Sequence, residues 1–182
     1  MAYLGLKKPV IAYFREENNK ASYTNGIQFA KAIEVEISPE YEDTGEYSGM
    51  NDLEYEKEFL YADITLGITT ILPEAEQMLF GHAINDSETR SNAKDQANYV
   101  GFGFTSQERI NGVTKYVAFW VCKAKFYEES QNHETRGESI GYHTPKITGR
   151  ALPTENGDWR IKKIFETEKQ AIEWLKQTAG IQ

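Results

Sequence analysis

The sequence contains few of the residues that build disulfides, metal sites or membrane spans. It holds one cysteine, Cys122, with three histidines and five prolines in 182 residues. A single cysteine cannot form an intramolecular disulfide, so we expect assembly in a reducing cytoplasm. No run approaches the roughly 18 apolar residues that span a membrane as a helix. The first residues lack the charged-then-apolar order of a signal peptide, so we expect no membrane association.

Patterns typical of catalysis and cofactor binding are missing as well. The histidines are His82, His133 and His143, and their spacing does not predict a zinc site. Cys122 follows Phe119, Trp120 and Val121, which predicts a small buried thiol and not a nucleophile. Gly101 and Gly103 begin like a dinucleotide-binding fingerprint, but the third glycine is absent. Glycines between aromatic residues of a strand instead predict the close approach of a neighbouring ring or backbone. We therefore predict no enzyme, no cofactor and no metal.

The net charge of -8 is spread unevenly along the chain. Residues 1–107 carry 18 acidic and eight basic side chains, whereas residues 108–182 carry 10 acidic and 12 basic ones. This balance argues against tight nucleic-acid binding, which needs clustered lysines and arginines. A solvated acidic surface explains it, and so does attraction between unlike halves of neighbouring copies.

Periodicity and turn residues predict one α+β domain, residues 1–182, built mainly from antiparallel strands. Asn111-Gly112 predicts a tight hairpin turn, and residues 155–158 predict a second hairpin. One helix is expected over residues 73–81, and a short C-terminal helix begins with a capping box at Thr167 and Gln170. Pro39 is expected to end the first strand. The predicted strands are Ile27–Ile37, one or two strands within Leu53–Thr70, and then Tyr99–Thr105, Tyr116–Phe126, Gly141–Leu152 and Trp159–Phe165.

An acidic segment holds the one candidate site. Between Glu34 and Glu58 there are ten carboxylates and one base, Lys57. Alternation places five of them away from the apolar face: Glu34, Glu36, Glu54, Glu56 and Glu58. A long polar loop at about residues 40–52 contains the other five: Glu40, Glu42, Asp43, Glu46 and Asp52.

The acidic segment is compatible with four kinds of surface or site. It could be a solvated surface, the acid pair of a glycan-binding or glycan-hydrolysing β-sandwich, or a calcium site without the usual ligand register. Crowded carboxylates destabilise an isolated sheet, so the fourth possibility is a surface that repels something negative.

The order of segments along nearly the whole chain resembles the major tail tube proteins of long-tailed, siphovirus-type bacteriophages of Gram-positive bacteria. The segments that carry this resemblance are Leu4–Lys7, Ala32–Pro39, Ala62–Leu66, Leu72-Pro73, Leu79–His82, Tyr99–Phe104, Tyr116–Trp120, Lys123–Phe126, Thr144–Gly149 and Trp159. Each segment is weak by itself, whereas their order and spacing are more specific.

The resemblance implies a β-sandwich or barrel with a flanking helix and a short C-terminal helix. It also implies a structural virion protein that forms hexameric rings, which stack into the hollow tail tube through which DNA is ejected. The partners would be further copies of the chain and the tape measure, tail terminator and distal tail proteins. In such a tube the five alternating acids would line the lumen, and the loop would contact the next ring.

Overall fold

Antiparallel strands make up most of the structure, as the sequence predicts. The computed structural model describes residues 3–29, 32–43, 57–86, 88–128 and 146–181. The strands within these ranges are β1 (Tyr3–Glu17), β2 (Lys20–Gln28), β3 (Ala32–Asp43), β4 (Lys57–Ile68), β5 (Ala83–Asn85), β6 (Glu88–Arg90), β7 (Val100–Ile110), β8 (Val113–Glu128), β9 (Lys146–Ala151) and β10 (Arg160–Phe165). The helices are α1 (Pro73–Phe80) and α2 (Glu168–Ala179). None of the described helices is long and apolar enough to cross a membrane.

Eight of the described strands form one antiparallel sheet in the order β2-β1-β7-β8-β9-β4-β3, with β10 attached to β8. Strand β8 is 16 residues long, which is enough to pair with three other strands of the sheet. Its first part pairs with β7 on one edge and β10 on the other, and its last part pairs with β9. Strands β5 and β6 form a separate two-stranded sheet.

The two sides of the sheet bury separate apolar clusters. One side packs around Phe102, Phe126 and Ile64 and is closed by Leu79 of α1. On the other side α2 places Leu175 against Trp120, which is fully buried. Each cluster is built from alternate residues of the same strands, so both sides of β8 are apolar over Val117–Cys122.

Local signals in the sequence are confirmed where they concern turns, caps and close packing. Asn111 and Gly112 both have positive φ, 50° and 81°, as a two-residue hairpin turn requires. Thr167 accepts a hydrogen bond from the Gln170 backbone in a complete capping box. A Cβ on Gly101 would lie 2.4 Å from Trp120 Cζ2, so this glycine admits the indole ring as predicted.

The predicted hairpin between β9 and β10 is wrong, although its turn forms. Gly157 donates to the Thr154 carbonyl over 2.9 Å. The two strands then pair with β8 and not with each other, β10 along residues 116–121 and β9 along residues 124–128. They lie end to end on one edge because β8 is long enough to hold both.

The single strand predicted over Ile27–Ile37 is also wrong. Strand β2 ends at Gln28 and β3 begins at Ala32. Sequence reasoning missed the β1–β2 hairpin, whose turn residues Asn18 and Asn19 have φ of 52° and 58°. The Asn-Asn pair was the available signal, because asparagine tolerates this conformation better than most residues.

Pro39 lies inside β3 and does not end it, so β3 continues to Asp43. Strand β3 is at the end of the strand order, and β4 is the one described strand that pairs with it. A proline is tolerated there because edge strands have one side on which no ladder donor is required.

Candidate functional site

Four neighbouring strands turn a polar surface away from the core. Strands β8, β9, β4 and β3 lie side by side, and their apolar residues Phe126, Ile147, Leu66 and Val35 all pack on the core side. The alternate residues therefore face the opposite way. We call this surface the open face; it consists of Glu34, Glu36, Ser38, Glu40, Glu42, Glu58, Tyr61, Asp63, Thr65, Lys125, Tyr127, Lys146, Thr148 and Arg150.

The open face lies on the same side of the sheet as α2. Helix α2 covers the earlier part of β8 on this side, and the open face follows it. Helix α2 packs over Ala118, Trp120 and Cys122. A register shift between β7 and β8 follows, because Phe102 pairs with Val121 whereas Val100 pairs with Ala124. Beyond this point the exposed side of β8 carries Lys125 and Tyr127.

Three of the five acids predicted to face away from the core do so. Glu34, Glu36 and Glu58 are exposed and belong to the open face. Glu54 and Glu56 lie outside the described residues. The strands pair as the crowding argument required, but the register separates Glu58 from the other two acids. Glu34 pairs with Gly67 and Glu36 with Thr65, whereas Glu58 pairs with Glu42. Six residues of strand separate Glu36 from Glu42, which is about 20 Å.

A β-bulge in β4 determines where Glu58 points. Glu40 pairs with Tyr61 and Tyr41 pairs with Phe59, so Leu60 is an extra residue. Because of this extra residue Phe59 returns to the core side, where its ring stacks on that of Trp159 with centroids 4.5 Å apart. Strict alternation from Ala62 would have turned Glu58 toward the core.

The first residues of the predicted loop at residues 40–52 lie in a strand. Glu40, Glu42 and Asp43 lie in β3, paired with Tyr61, Glu58 and Lys57. Their place in a loop is therefore wrong, because β3 continues past Pro39. Glu40 and Glu42 join Glu34 and Glu36 on the open face. Glu46 and Asp52 lie outside the described residues.

Cations lie on the β8 and β9 side of the open face, and the sequence patterns did not predict them there. Arg150 of β9 donates from Nε to Asp63 Oδ1 over 2.8 Å, and its guanidinium lies 3.7 Å from the Tyr61 ring centroid. The hydrogen bond to Asp63 raises the pKa of Arg150. Lys125 Nζ lies 5.2 Å from the Tyr99 ring centroid. The signal was the alternation of lysine with buried residues along Lys123–Phe126.

Charge therefore changes sign across the open face. Strand β3 contributes four carboxylates, and β4 contributes Glu58 and Asp63. The cations Lys125, Lys146 and Arg150 belong to β8 and β9. Six acids face three cations, so the surface is acidic overall but has a basic side.

The residues considered for catalysis have structural surroundings. Cys122 is buried under α2, and burial raises its pKa to about 11. His82 is buried beside the end of α1, with Nδ1 3.4 Å from Ser91 Oγ. His133 and His143 lie outside the described residues. Among the described residues no cluster of three His, Cys, Asp or Glu side chains could hold a metal ion.

A shallow depression of about 370 Å³ lies at the basic side of the open face. Its wall includes Tyr99, Lys125, Tyr127 and Arg150, and its one lining carboxylate is Asp63. Tyr127 is 55% exposed and Tyr99 is 40% exposed.

No family model matches this sequence, and the search of curated proteins found no match either.

Proposed function

We propose that this chain is the repeating subunit of a tail tube, assembled as hexameric rings that stack around a DNA channel. The observation that carries the proposal is the open face, a four-stranded polar surface that neither helix covers among the described residues. Its strands use their other side for the core, so within the described ranges of the chain the surface is left to line a channel. The proposal that this assembly is a tail tube comes from the resemblance in segment order.

The charge of the open face suits a channel for DNA. Six carboxylates against three cations give a surface that repels phosphates weakly, with screening over about 10 Å at 0.1 M salt. A strongly basic lining would hold DNA through the release of its counterions. The lumen residues that we propose are Glu34, Glu36 and Glu58, with Glu40 and Glu42 added from β3.

The remaining parts of the proposal come from the resemblance. The inter-ring contact is assigned to residues 44–52, since residues 40–43 belong to β3. The tape measure, tail terminator and distal tail proteins would be the other partners. The subunit would be made in the cytoplasm of the bacterial host and end in the virion tail, with no catalysis.

Negative-stain electron microscopy of the purified chain at rising concentration tests this function. We expect rings with a central hole, or tubes of stacked rings. Because such subunits can wait for an initiator, the same sample is also examined after addition of preformed tail tips. Particles that remain monomeric under both conditions would contradict the proposal.

A glycan-binding module is the second candidate function, and the depression beside Tyr99 and Tyr127 is the observation that favours it. Exposed aromatic rings next to hydrogen-bonding side chains are a common composition for ligand sites. Hydrolysis would need two carboxyl groups, whereas Asp63 is the one acid lining this depression and Arg150 holds it. Titration with a panel of bacterial wall glycans, compared between the wild type and Tyr127→Ala, tests this alternative.

A further inference from the structure

The chain contains three Asn-Gly pairs, a dipeptide that can modify itself: Asn25-Gly26, Asn111-Gly112 and Asn156-Gly157. The backbone nitrogen of the glycine can attack Cγ of the asparagine, because glycine has no side chain to hinder the approach. An N–Cγ bond forms and the Cγ–Nδ2 bond breaks, so ammonia leaves with the amide proton of the glycine. Water then opens the resulting succinimide ring to aspartate or to isoaspartate, in which the backbone runs through the side chain. The reaction therefore needs a glycine N–H and an asparagine side chain that are both free to move.

Hydrogen bonds hold both reacting groups of Asn156-Gly157. The Gly157 N–H donates to the Thr154 carbonyl over 2.9 Å. The side chain of Asn156 donates from Nδ2 to the Asn19 carbonyl over 2.6 Å. Both bonds must break before the glycine nitrogen can reach Cγ. Two such bonds should slow the reaction on the order of tenfold.

Helix α2 restrains the backbone of Asn25-Gly26. Both residues lie in β2, a strand of the large sheet. A Cβ on Gly26 would overlap the carbonyl oxygen of Ala179, the last residue of α2. Ring closure requires the backbone between the two residues to turn, and close packing resists such a movement. This pair should therefore also react slowly.

Asn111-Gly112 lacks both kinds of restraint. The pair forms the tip of the β7–β8 hairpin, and both residues are exposed. Within the described ranges, neither the Gly112 N–H nor the Asn111 side chain forms a hydrogen bond. A Cβ on Gly112 would meet no atom within 4 Å, so the tip has room to rearrange. Arg109 donates from Nε to the Gly112 carbonyl over 3.3 Å, and a nearby cation favours the deprotonated nitrogen that attacks.

We propose that Asn111 is a self-modification site, which converts to aspartate and isoaspartate in the folded chain well before Asn25 or Asn156. The reaction needs water and no enzyme, and it follows from the subunit alone and not from the proposed assembly. Each conversion adds one negative charge, so the net charge of -8 becomes -9. Isoaspartate also adds one backbone atom to a turn whose geometry depends on both of its residues. Aged subunits therefore carry a more acidic and altered hairpin tip.

Peptide mapping by mass spectrometry tests the site. The purified chain is kept folded at mildly alkaline pH in water enriched in heavy oxygen, which labels each residue that hydrolyses during the incubation. We expect label to accumulate at position 111 on the order of tenfold faster than at position 156, and faster than at position 25. The same incubation in guanidinium chloride is the control. Unfolding removes the contacts that distinguish the three pairs, so their rates should converge.

Two glycine variants identify the site by charge. Asn111→Gly removes the reacting side chain and suits a turn with positive φ, so the fold should be retained. We expect it to lose the more acidic band that the wild type gains on isoelectric focusing. Asn156→Gly is the matched control and should gain that band at the wild-type rate. Labelling of the folded chain at position 111 no faster than at position 25 or 156, or a band that persists in Asn111→Gly, would overturn the proposal.

Discussion

Gly101→Ala should destabilise the fold, because Trp120 already occupies the space of the new methyl group. The added Cβ would lie 2.4 Å from Trp120 Cζ2 and 2.6 Å from Tyr23 Cε1, whereas ordinary carbon contacts begin near 3.4 Å. Something must therefore move by about 1 Å in a core where Trp120 is fully buried. Overpacking of this kind costs about 1–3 kcal/mol. In a chain of this size each kcal/mol lowers Tm by about 2–4 °C.

The assay is thermal melting of four proteins in a double-mutant cycle: the wild type, Gly101→Ala, Trp120→Phe and the double variant. Phenylalanine lacks the part of the indole that holds Cζ2, so the double variant should lose less stability than the two single losses added together. Gly157→Ala is the control. It imposes a φ of +85° on alanine but meets no atom within 4 Å, so its loss should add to that of Trp120→Phe. Additive losses for Gly101→Ala as well would refute the steric explanation.

Two further predictions concern the proposed channel and the buried thiol. Thr65→Lys with Thr148→Lys, two cross-strand neighbours at the centre of the open face, should yield tubes that retain DNA in a filter assay. Glu173→Gln with Gln177→Lys adds the same charge on α2 and should not. Burial raises the pKa of Cys122 from 9.0 to about 11, so the native state keeps this proton longer than the unfolded chain. The contribution of the protonated thiol to the free energy of unfolding is present below pH 9 and falls by about 2–3 kcal/mol toward pH 11. In denaturant titrations at several pH values, Cys122→Ala should show a smaller fall over this range.

The local features of the fold could be predicted from the sequence, whereas the long-range strand pairing could not. The turn at Asn111-Gly112 and the capping box at Thr167 depend on a few adjacent residues, so their side chains alone specify them. A close approach at Gly101 was also predictable, because a glycine between aromatic residues of a strand leaves room for a neighbouring ring or backbone. Pairing partners are different. Period-two alternation tells which side a residue takes, but it does not tell which strand lies next to it.

In the candidate site, likewise, the side of the sheet on which a residue lies was predictable, but the residue beside it on the next strand was not. Alternation predicted correctly that Glu34 and Glu36 face away from the core. It could not predict that β3 passes through Pro39, since nothing local marks β3 as an edge strand. Nor could it predict the extra residue Leu60, because a bulge is fixed by how two strands fit together. Glu34, Glu36 and Glu58 were therefore assigned to the correct side, while their neighbours on the adjacent strand were not.

The unequal charge of the two halves of the chain acquires a spatial meaning in this topology. The acidic first half supplies β3 and β4, and the more basic second half supplies β9 and the end of β8. These strands are neighbours, so a difference along the sequence becomes a difference across one surface.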